Sequence, residues 1–136
     1  TPKTRAIVIN SPSNPTGSGY DRAALEAIAD VARQRDIYII SDEIYEKLVY
    51  DDFKHVSIAS VSEDAKNRTI VVNGVSKAYA MTGFRIGYAC GPVDIVEAMM
   101  KIHQYSMLCA SIQIMDERIA SHSQITGTFR LTTPCS

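Results

Sequence analysis

The chain has 136 residues, of which 46% are hydrophobic, and this length is sufficient for one domain with a sizeable core. Fourteen basic residues against fifteen acidic ones give a net charge of −1, and the basic residues are dispersed along the chain. We therefore expect neither nucleic acid nor an anionic membrane as a partner. No apolar run approaches the roughly 20 residues of a membrane-spanning helix, and the first five residues do not read as a signal peptide.

The three cysteines, Cys90, Cys109 and Cys135, are odd in number and widely spaced, and they include no C-x-x-C pair. This usage favours a reducing compartment, so we expect a cytoplasmic protein. It argues against a zinc site and against a disulfide framework. Because the chain begins without methionine and enters a predicted strand within four residues, we also expect it to be a piece of a longer protein.

The first predicted elements are a buried strand over residues 5–10 and a rigid turn over residues 11–17. The strand is a short apolar run that ends at turn-forming residues, the pattern of a strand buried on both faces. The turn contains two prolines and a glycine, so no helix is expected there. Such a turn would hold the Asn14 side chain in a fixed direction beyond the carboxyl end of the strand. An ordinary strand-to-helix turn explains the same residues equally well.

A strand, helix and strand follow one another over residues 5–41. Apolar residues recur at helical spacing between Ala24 and Ala32, which predicts an amphipathic helix over residues 21–34 with Asp21 as its N-cap. The run Ile-Tyr-Ile-Ile at residues 37–40 predicts a second buried strand. This order predicts parallel strands joined by a right-handed crossover, so the fold class is α/β.

Asp42 and Tyr45 follow the second strand at the edge where ligands bind in α/β sheets. A carboxylate directly after an apolar strand is partly desolvated, which disfavours its charged form unless a cation or proton donor lies against it. We therefore interpret Asp42 as the partner of a positive group. The alternative interpretation is a helix N-cap.

The next segment carries weaker patterns. Residues 47–52 suggest a short strand and a turn, residues 55–61 are weakly helical, and residues 62–68 form a polar connection. His55 has no partner at a recognisable ligand spacing, which favours a surface or packing histidine. The same interpretation applies to the other two histidines, His103 and His122.

Two further strands are predicted over residues 69–73 and 85–90, separated by a loop of about eleven residues. This loop is shorter than the dozen or more residues of a parallel crossover, so the two strands should run antiparallel. The arrangement would place Lys77 and Arg85 on the same side of the loop. A lysine after a strand is more often an ordinary solvated turn residue. When this segment is considered by itself, that alternative is favoured for Lys77.

The last predicted helix opens at Pro92, with Asp94 as N-cap and Glu97 as its capping-box partner. Ile95, Met99 and Ile102 form an apolar stripe at helical spacing. We expect Met99, Met100 and Met107 to pack against another element and not to form a cofactor site. From residue 113 to residue 136 the chain has no sustained period and is rich in serine and threonine towards its end. We expect these residues to form an atypical, loosely ordered tail.

The polar residues at the predicted strand ends match the needs of one cofactor. Lys77 offers an amine that can form a Schiff base, and Asp42 offers a carboxylate that can pair with a ring nitrogen. Asn14 and Tyr45 can hydrogen-bond a ring oxygen, and the Arg85 guanidinium suits a phosphate. Together these groups point to pyridoxal 5′-phosphate (PLP).

The same segments resemble the fold-type I PLP-dependent enzymes, and within them the class I/II aminotransferases related to aspartate aminotransferase. The matching segments are residues 10–17, 41–45 and 76–89, in the order and spacing of the family. The resemblance covers roughly residues 3–112. It implies a three-layer α/β sandwich with a mostly parallel sheet and one antiparallel strand, of which residues 1–112 are the central part of the PLP-binding large domain.

The resemblance also implies a role for each matching residue. Lys77 would form the Schiff base with PLP and carry protons between the two imine carbons, and Asp42 would pair with the pyridine nitrogen. Asn14 and Tyr45 would hydrogen-bond the phenolic oxygen, whereas Arg85 would bind the phosphate.

The sequence departs from the family pattern in several places. Ser76 would add a phosphate contact, but the serine that some relatives carry three residues before the lysine is Gly74 here. The family's phosphate loop and ring-stacking aromatic residue lie upstream of this chain, and its substrate-carboxylate arginine lies downstream. Residues 113–136 do not look like family sequence.

The function implied by the resemblance is transfer of an amino group between an amino acid and a 2-oxo acid, with the full-length protein a homodimer. Two alternatives stay open. One is a truncated, inactive product without a complete cofactor site. The other is a PLP-dependent β-lyase, since Lys77 and Asp42 would serve both reactions. The residues that select the substrate lie mostly in the segments missing from this chain.

Overall fold

The computed structural model describes residues 1–106 of the chain. Several of the predictions above concern residues outside this part: Met107, Cys109, Cys135, His122 and the tail from residue 113. Within the described part, no helix combines the length and the apolar character that crossing a membrane would require.

The centre of the structure is a four-stranded sheet with its strands in chain order. Its strands are β1 (Ala6–Asn10), β2 (Tyr38–Asp42), β3 (Thr69–Gly74) and β4 (Gly87–Cys90). The first three strands pair in parallel, and β4 pairs antiparallel to β3. The predicted α/β fold, with a mostly parallel sheet and one antiparallel strand, is confirmed in this sheet.

Within residues 1–106, four helices connect or follow these strands: α1 (Arg22–Arg35), α2 (Glu63–Lys66), α3 (Val75–Ala78) and α4 (Val93–Ser106). Two single 3-10 turns, Ile58–Ser60 and Thr82–Phe84, lie between them. The predicted N-cap of α1 is confirmed, because Asp21 Oδ1 accepts a hydrogen bond from Ala24 N at 2.8 Å. The predicted weak helix over residues 55–61 is reduced to the first of the two 3-10 turns.

The core lies between one face of the sheet and α1. Its buried apolar side chains are Ile9, Leu25, Ala29, Ala32, Ile37, Ile39, Ile58 and Ala65. Burial of a large aliphatic side chain stabilises a fold by about 1.5–3 kcal/mol, so this cluster holds α1 and α2 against the strands.

The opposite face of the sheet is only partly covered. Val8 lies in one row with Ile40 and Ile70, and its side chain is 69% exposed. Tyr38 and Val72 are also exposed, each 39%. The prediction that β1 and β2 are buried on both faces is therefore wrong for this chain, because no element of residues 1–106 shields these positions.

Other predictions differ more from the structure. Residues 47–52 contain no strand, because the chain after β2 folds into tight turns in which Leu48 N donates to Tyr45 O at 2.9 Å. The fourth strand begins at Gly87 and not at residue 85, since Arg85 has a left-handed φ of 55° that a strand does not contain. Asp94 lies within the first turn of α4, which begins one residue earlier, so it is not the N-cap.

Arg68 joins the end of α2 to the strands. Its guanidinium donates to both carboxylate oxygens of Asp64, at 2.8 and 2.9 Å, and to the carbonyl oxygen of Ile37 at 3.3 Å. The hydrogen bond from Arg68 lowers the pKa of Asp64 below its ordinary value of 3.8. The ionised carboxylate is thus favoured in the folded chain.

A pH dependence of stability follows from this pair. The pKa of Asp64 is lower in the folded chain than in the unfolded chain. Its contribution to the free energy of unfolding is therefore present above the unfolded-state pKa and is lost as the pH falls through the folded-state pKa. We expect Asp64→Asn to lower the thermal midpoint at pH 7, with the difference from wild type closing below about pH 3.8. Thermal unfolding followed by circular dichroism between pH 2.5 and 7 measures it. Asp52→Asn, which changes an exposed aspartate, is the control, and a difference that stays constant with pH would contradict the expectation.

Candidate active site

The candidate site lies at the edge of the sheet where the three parallel strands end. Strand β1 ends at Asn10, β2 at Asp42 and β3 at Gly74, and each end leads into a loop or short helix. Asn14 lies in the loop after β1, Tyr45 in the turn after β2, and Lys77 in α3 after β3. This edge is where open α/β sheets bind their ligands.

Two of the predicted site residues, Asn14 and Lys77, lie beside a third, Tyr45. Asn14 Nδ2 donates a hydrogen bond to the Tyr45 hydroxyl oxygen at 3.2 Å. Lys77 Nζ lies 5.6 Å from the centroid of the same ring, within the range of a cation–π contact. Within residues 1–106, Lys77 Nζ makes no hydrogen bond or ion pair, so its amine is not held by a carboxylate.

Asp42 is half-buried, and its carboxylate is only partly used by the protein. Its Oδ1 accepts a hydrogen bond from Ile44 N at 3.2 Å, and no described basic side chain pairs with it. The alternative of a helix N-cap is not confirmed, because residues 44–47 form turns and not a helix. A half-buried carboxylate with one free oxygen is suited to a cationic or proton-donating ligand group.

Glu43, the residue after Asp42, is the main residue near the candidate site whose role the sequence did not indicate. Its side chain is 3% exposed and accepts hydrogen bonds from Ser41 Oγ at 2.9 Å and Ser57 Oγ at 2.8 Å. His55 Nε2 donates to its other oxygen at 3.0 Å. This cluster anchors the segment after β2, on which Tyr45 is carried, to the segment that precedes α2.

His55 is accordingly a packing histidine, with its side chain only 12% exposed, and its partner is Glu43. The sequence did not indicate this partner, because the two residues are twelve positions apart. Together with Glu46, these two side chains bring possible metal-ligand atoms within 4.8 Å of one another. Both Glu43 oxygens already accept hydrogen bonds from protein donors, which gives the cluster a packing role.

The path of the chain into α3 depends on Gly74. A Cβ atom built at this position would lie 2.7 Å from the carbonyl oxygen of Ile86, closer than real Cβ contacts come. Val75 N donates to the same carbonyl oxygen at 3.4 Å. Since any residue with a Cβ would fit here only after a shift of the backbone, Gly74 allows the close approach at the start of α3, the helix that carries Lys77.

The two predicted phosphate-binding residues, Ser76 and Arg85, take no part in the contacts around Tyr45 described above. Ser76 is half-buried in α3. Arg85 is exposed, and its Nη1 donates to the carbonyl oxygen of Thr82 at 3.2 Å, its one hydrogen bond within residues 1–106. The placement of Lys77 and Arg85 on one side of the loop stays a prediction.

Comparison with known proteins gives consistent matches. Residues 1–132 match the family model described as aminotransferase class I and II. The chain is 57% identical to the aspartate aminotransferase of Bacillus sp. strain YM-2 over 106 residues, which cover 78% of this chain and 27% of that protein. The structure of the aspartate aminotransferase from Rhizobium meliloti has a TM-score of 0.81 at 39% identity, covering 96% of this chain and 32% of that one. An aromatic aminotransferase from Pyrococcus horikoshii OT3 has a TM-score of 0.74 at 50% identity, covering 77% and 28%.

The sheet defines an α/β protein, and the polar groups at its strand ends form a candidate ligand site. The chain belongs to the class I and II aminotransferase family, because the family model matches nearly its whole length. It spans about a quarter of the length of the curated relatives it matches, 27% for the first three. The family match extends to residue 132, whereas the alignment with the Bacillus sp. relative covers 106 residues, so the predicted boundary at residue 112 stays a prediction.

Proposed function

We propose that this chain is part of an enzyme that uses PLP to transfer an amino group between an amino acid and a 2-oxo acid. The meeting of Asn14, Tyr45 and Lys77 at the strand ends carries this proposal, because a loop, a turn and a short helix bring an amide, a phenol and an unpaired amine to one place. Membership of the aminotransferase family supports the same reaction.

The groups present fit PLP by their chemistry. Lys77 Nζ and one oxygen of Asp42 have no bonded protein partner among residues 1–106, so an amine and a carboxylate are both free to take a ligand. When bound, PLP would supply an aldehyde that condenses with amines with loss of water, and a ring that delocalises the electrons of a bond broken at the substrate α-carbon. Lys77 would attach the cofactor as a Schiff base, and Asp42 would hold a proton at the ring nitrogen.

The hydrogen bond between Asn14 and Tyr45 has a direct consequence for the ligand. Because the Tyr45 hydroxyl oxygen accepts from Asn14 Nδ2, its own proton is free to be donated elsewhere. Donation from Tyr45 and from the second N–H of Asn14 would stabilise a negative oxygen on the cofactor ring. When not attached to the cofactor, the Lys77 amine is the group suited to accept and return a proton at the substrate carbon.

Arg85 and Ser76 are the proposed phosphate ligands. Arg85 uses one N–H on the Thr82 carbonyl oxygen, which leaves four of its five guanidinium donors for a phosphate. For the longer protein we propose a homodimer in the cytoplasm, with no nucleic acid or membrane partner. The family resemblance supports the dimer, and the net charge of −1 supports the absence of polyanionic partners.

The reaction type can be tested on the purified 136-residue chain loaded with PLP. Aspartate and aromatic amino acids are the first donors to try, since relatives are named aspartate and aromatic aminotransferases. We expect formation of a new amino acid that requires an added 2-oxo acid. Release of pyruvate and ammonia without an oxo acid would favour a β-lyase instead, and Lys77 labelling without either reaction would identify a truncated, inactive product.

A further inference from the structure

Asn10, the last residue of β1, links two of the proposed cofactor-binding residues. It pairs in register with Asp42, the last residue of β2. Its Nδ2 donates to the Asp42 carbonyl oxygen at 3.2 Å, and its Oδ1 accepts from Asn14 N at 3.0 Å. One side-chain amide thus joins the backbone of Asp42 to the backbone of Asn14.

These two bonds require a side chain that offers both a donor and an acceptor. One partner is a carbonyl oxygen, which only accepts, and the other is a backbone N–H, which only donates. Of the small side chains, a carboxylate offers only acceptors and alanine offers neither group. Asparagine at this position therefore satisfies both partners at once, and the alternative orientation of its amide would satisfy neither.

The link continues from the backbone to the side chains of the site. Asn14 is an exposed loop residue, and its own amide donates to the Tyr45 hydroxyl oxygen. Asp42 O accepts a second hydrogen bond, from Ser11 N at 3.2 Å, which strengthens the same junction between the loop after β1 and the end of β2. The loop that carries Asn14 is therefore held against the strand that carries Asp42.

We propose that Asn10 is a positioning residue that fixes Asn14 relative to Asp42. It would keep a constant distance between Asn14, which donates to the cofactor's ring oxygen, and Asp42, which accepts the proton of its ring nitrogen. The role toward the cofactor rests on the function proposed above. The link between the two loops is a property of the chain itself, and it can be measured without any cofactor.

Two substitutions separate the two bonds. Asn10→Asp keeps an acceptor for Asn14 N but loses the donor to Asp42 O, whereas Asn10→Ala loses both. We expect Asn10→Ala to raise the amide exchange rate of Asn14 at least fivefold by NMR, the change that corresponds to about one lost hydrogen bond, and Asn10→Asp to keep most of the protection. Asn67→Ala, which changes an exposed asparagine at the end of α2, is the matched control.

A second experiment uses the same variants loaded with PLP. A displaced Asn14 would stabilise the ionised ring oxygen less well, so we expect Asn10→Ala to raise the pH midpoint of the bound cofactor's absorption by about 0.5–1 unit. We also expect its dissociation constant for PLP to rise on the order of tenfold. A merely structural asparagine would lower the thermal midpoint and leave the absorption midpoint unchanged.

The outcomes are distinguishable. Wild-type values for both Asn14 exchange and the absorption midpoint in Asn10→Ala would overturn the inference, even if the variant is less stable. A wild-type chain that takes up no PLP would overturn the proposed function and the cofactor role of Asn10. The exchange rates would then decide alone whether Asn10 holds Asn14.

Discussion

Replacement of Lys77 by arginine is expected to abolish the borohydride-stable attachment of PLP to this chain. Arginine keeps the positive charge and can lie over the Tyr45 ring as Lys77 does. Its guanidinium stays protonated at all working pH values, however, and therefore offers no free amine to condense with the cofactor aldehyde. Absorbance of the reduced protein and its intact mass measure the attachment, and we expect at least a tenfold loss.

The matched control is Lys47→Arg, because Lys47 is exposed and lies only two positions after Tyr45. This variant should retain the wild-type amount of reduced cofactor. Equal labelling of wild type, Lys77→Arg and Lys47→Arg would mean that the cofactor reacts with surface amines in general, and it would contradict the role proposed for Lys77.

Replacement of Glu43 by alanine is expected to cause the largest loss of stability of any single substitution in the site region. The Glu43 carboxylate is buried and accepts hydrogen bonds from two serines and His55. Removing it leaves these donors without their acceptor and opens a space in the packing. Breaking a buried charged cluster in this way costs about 3–5 kcal/mol, which for a chain of this size corresponds to a thermal midpoint lower by roughly 12 °C or more.

Thermal and urea unfolding measure this effect. Glu43→Gln keeps the shape and one acceptor oxygen, so it should cost less than Glu43→Ala. Glu97→Ala changes an exposed residue of α4 and should be near neutral. A Glu43→Ala midpoint within 2 °C of the Glu97→Ala midpoint would show that the buried cluster contributes little, contrary to the expectation.

The sheet was predictable because its determinants are local. Apolar runs predicted these four strands, and their connections predicted that β1 and β2 are parallel and that β3 and β4 are antiparallel. The meeting of Asn14, Tyr45 and Lys77 followed from the same reasoning, because residues after parallel strands share one edge of the sheet.

The features that were missed depend on tertiary contacts or on backbone detail. The partnership of Glu43 with His55 and the bridge from Asn10 to Asp42 join positions far apart in the chain, and no periodicity reports such pairs. Arg85 has a left-handed backbone conformation, and β4 begins only after it, at Gly87. Arginine rarely adopts this conformation, so the sequence did not indicate it. The prediction that β1 is buried on both faces failed, because no element within residues 1–106 covers Val8.

The most direct test of the central claim is to map where PLP attaches to the wild-type chain. The purified 136-residue protein is incubated with PLP, reduced with borohydride and digested, and its peptides are sequenced by mass spectrometry. We predict a single pyridoxyl adduct, on Lys77, whose amine is unpaired among the described residues and lies beside Tyr45. Adducts scattered over exposed lysines such as Lys3, Lys47 and Lys54, with no excess at Lys77, would contradict it.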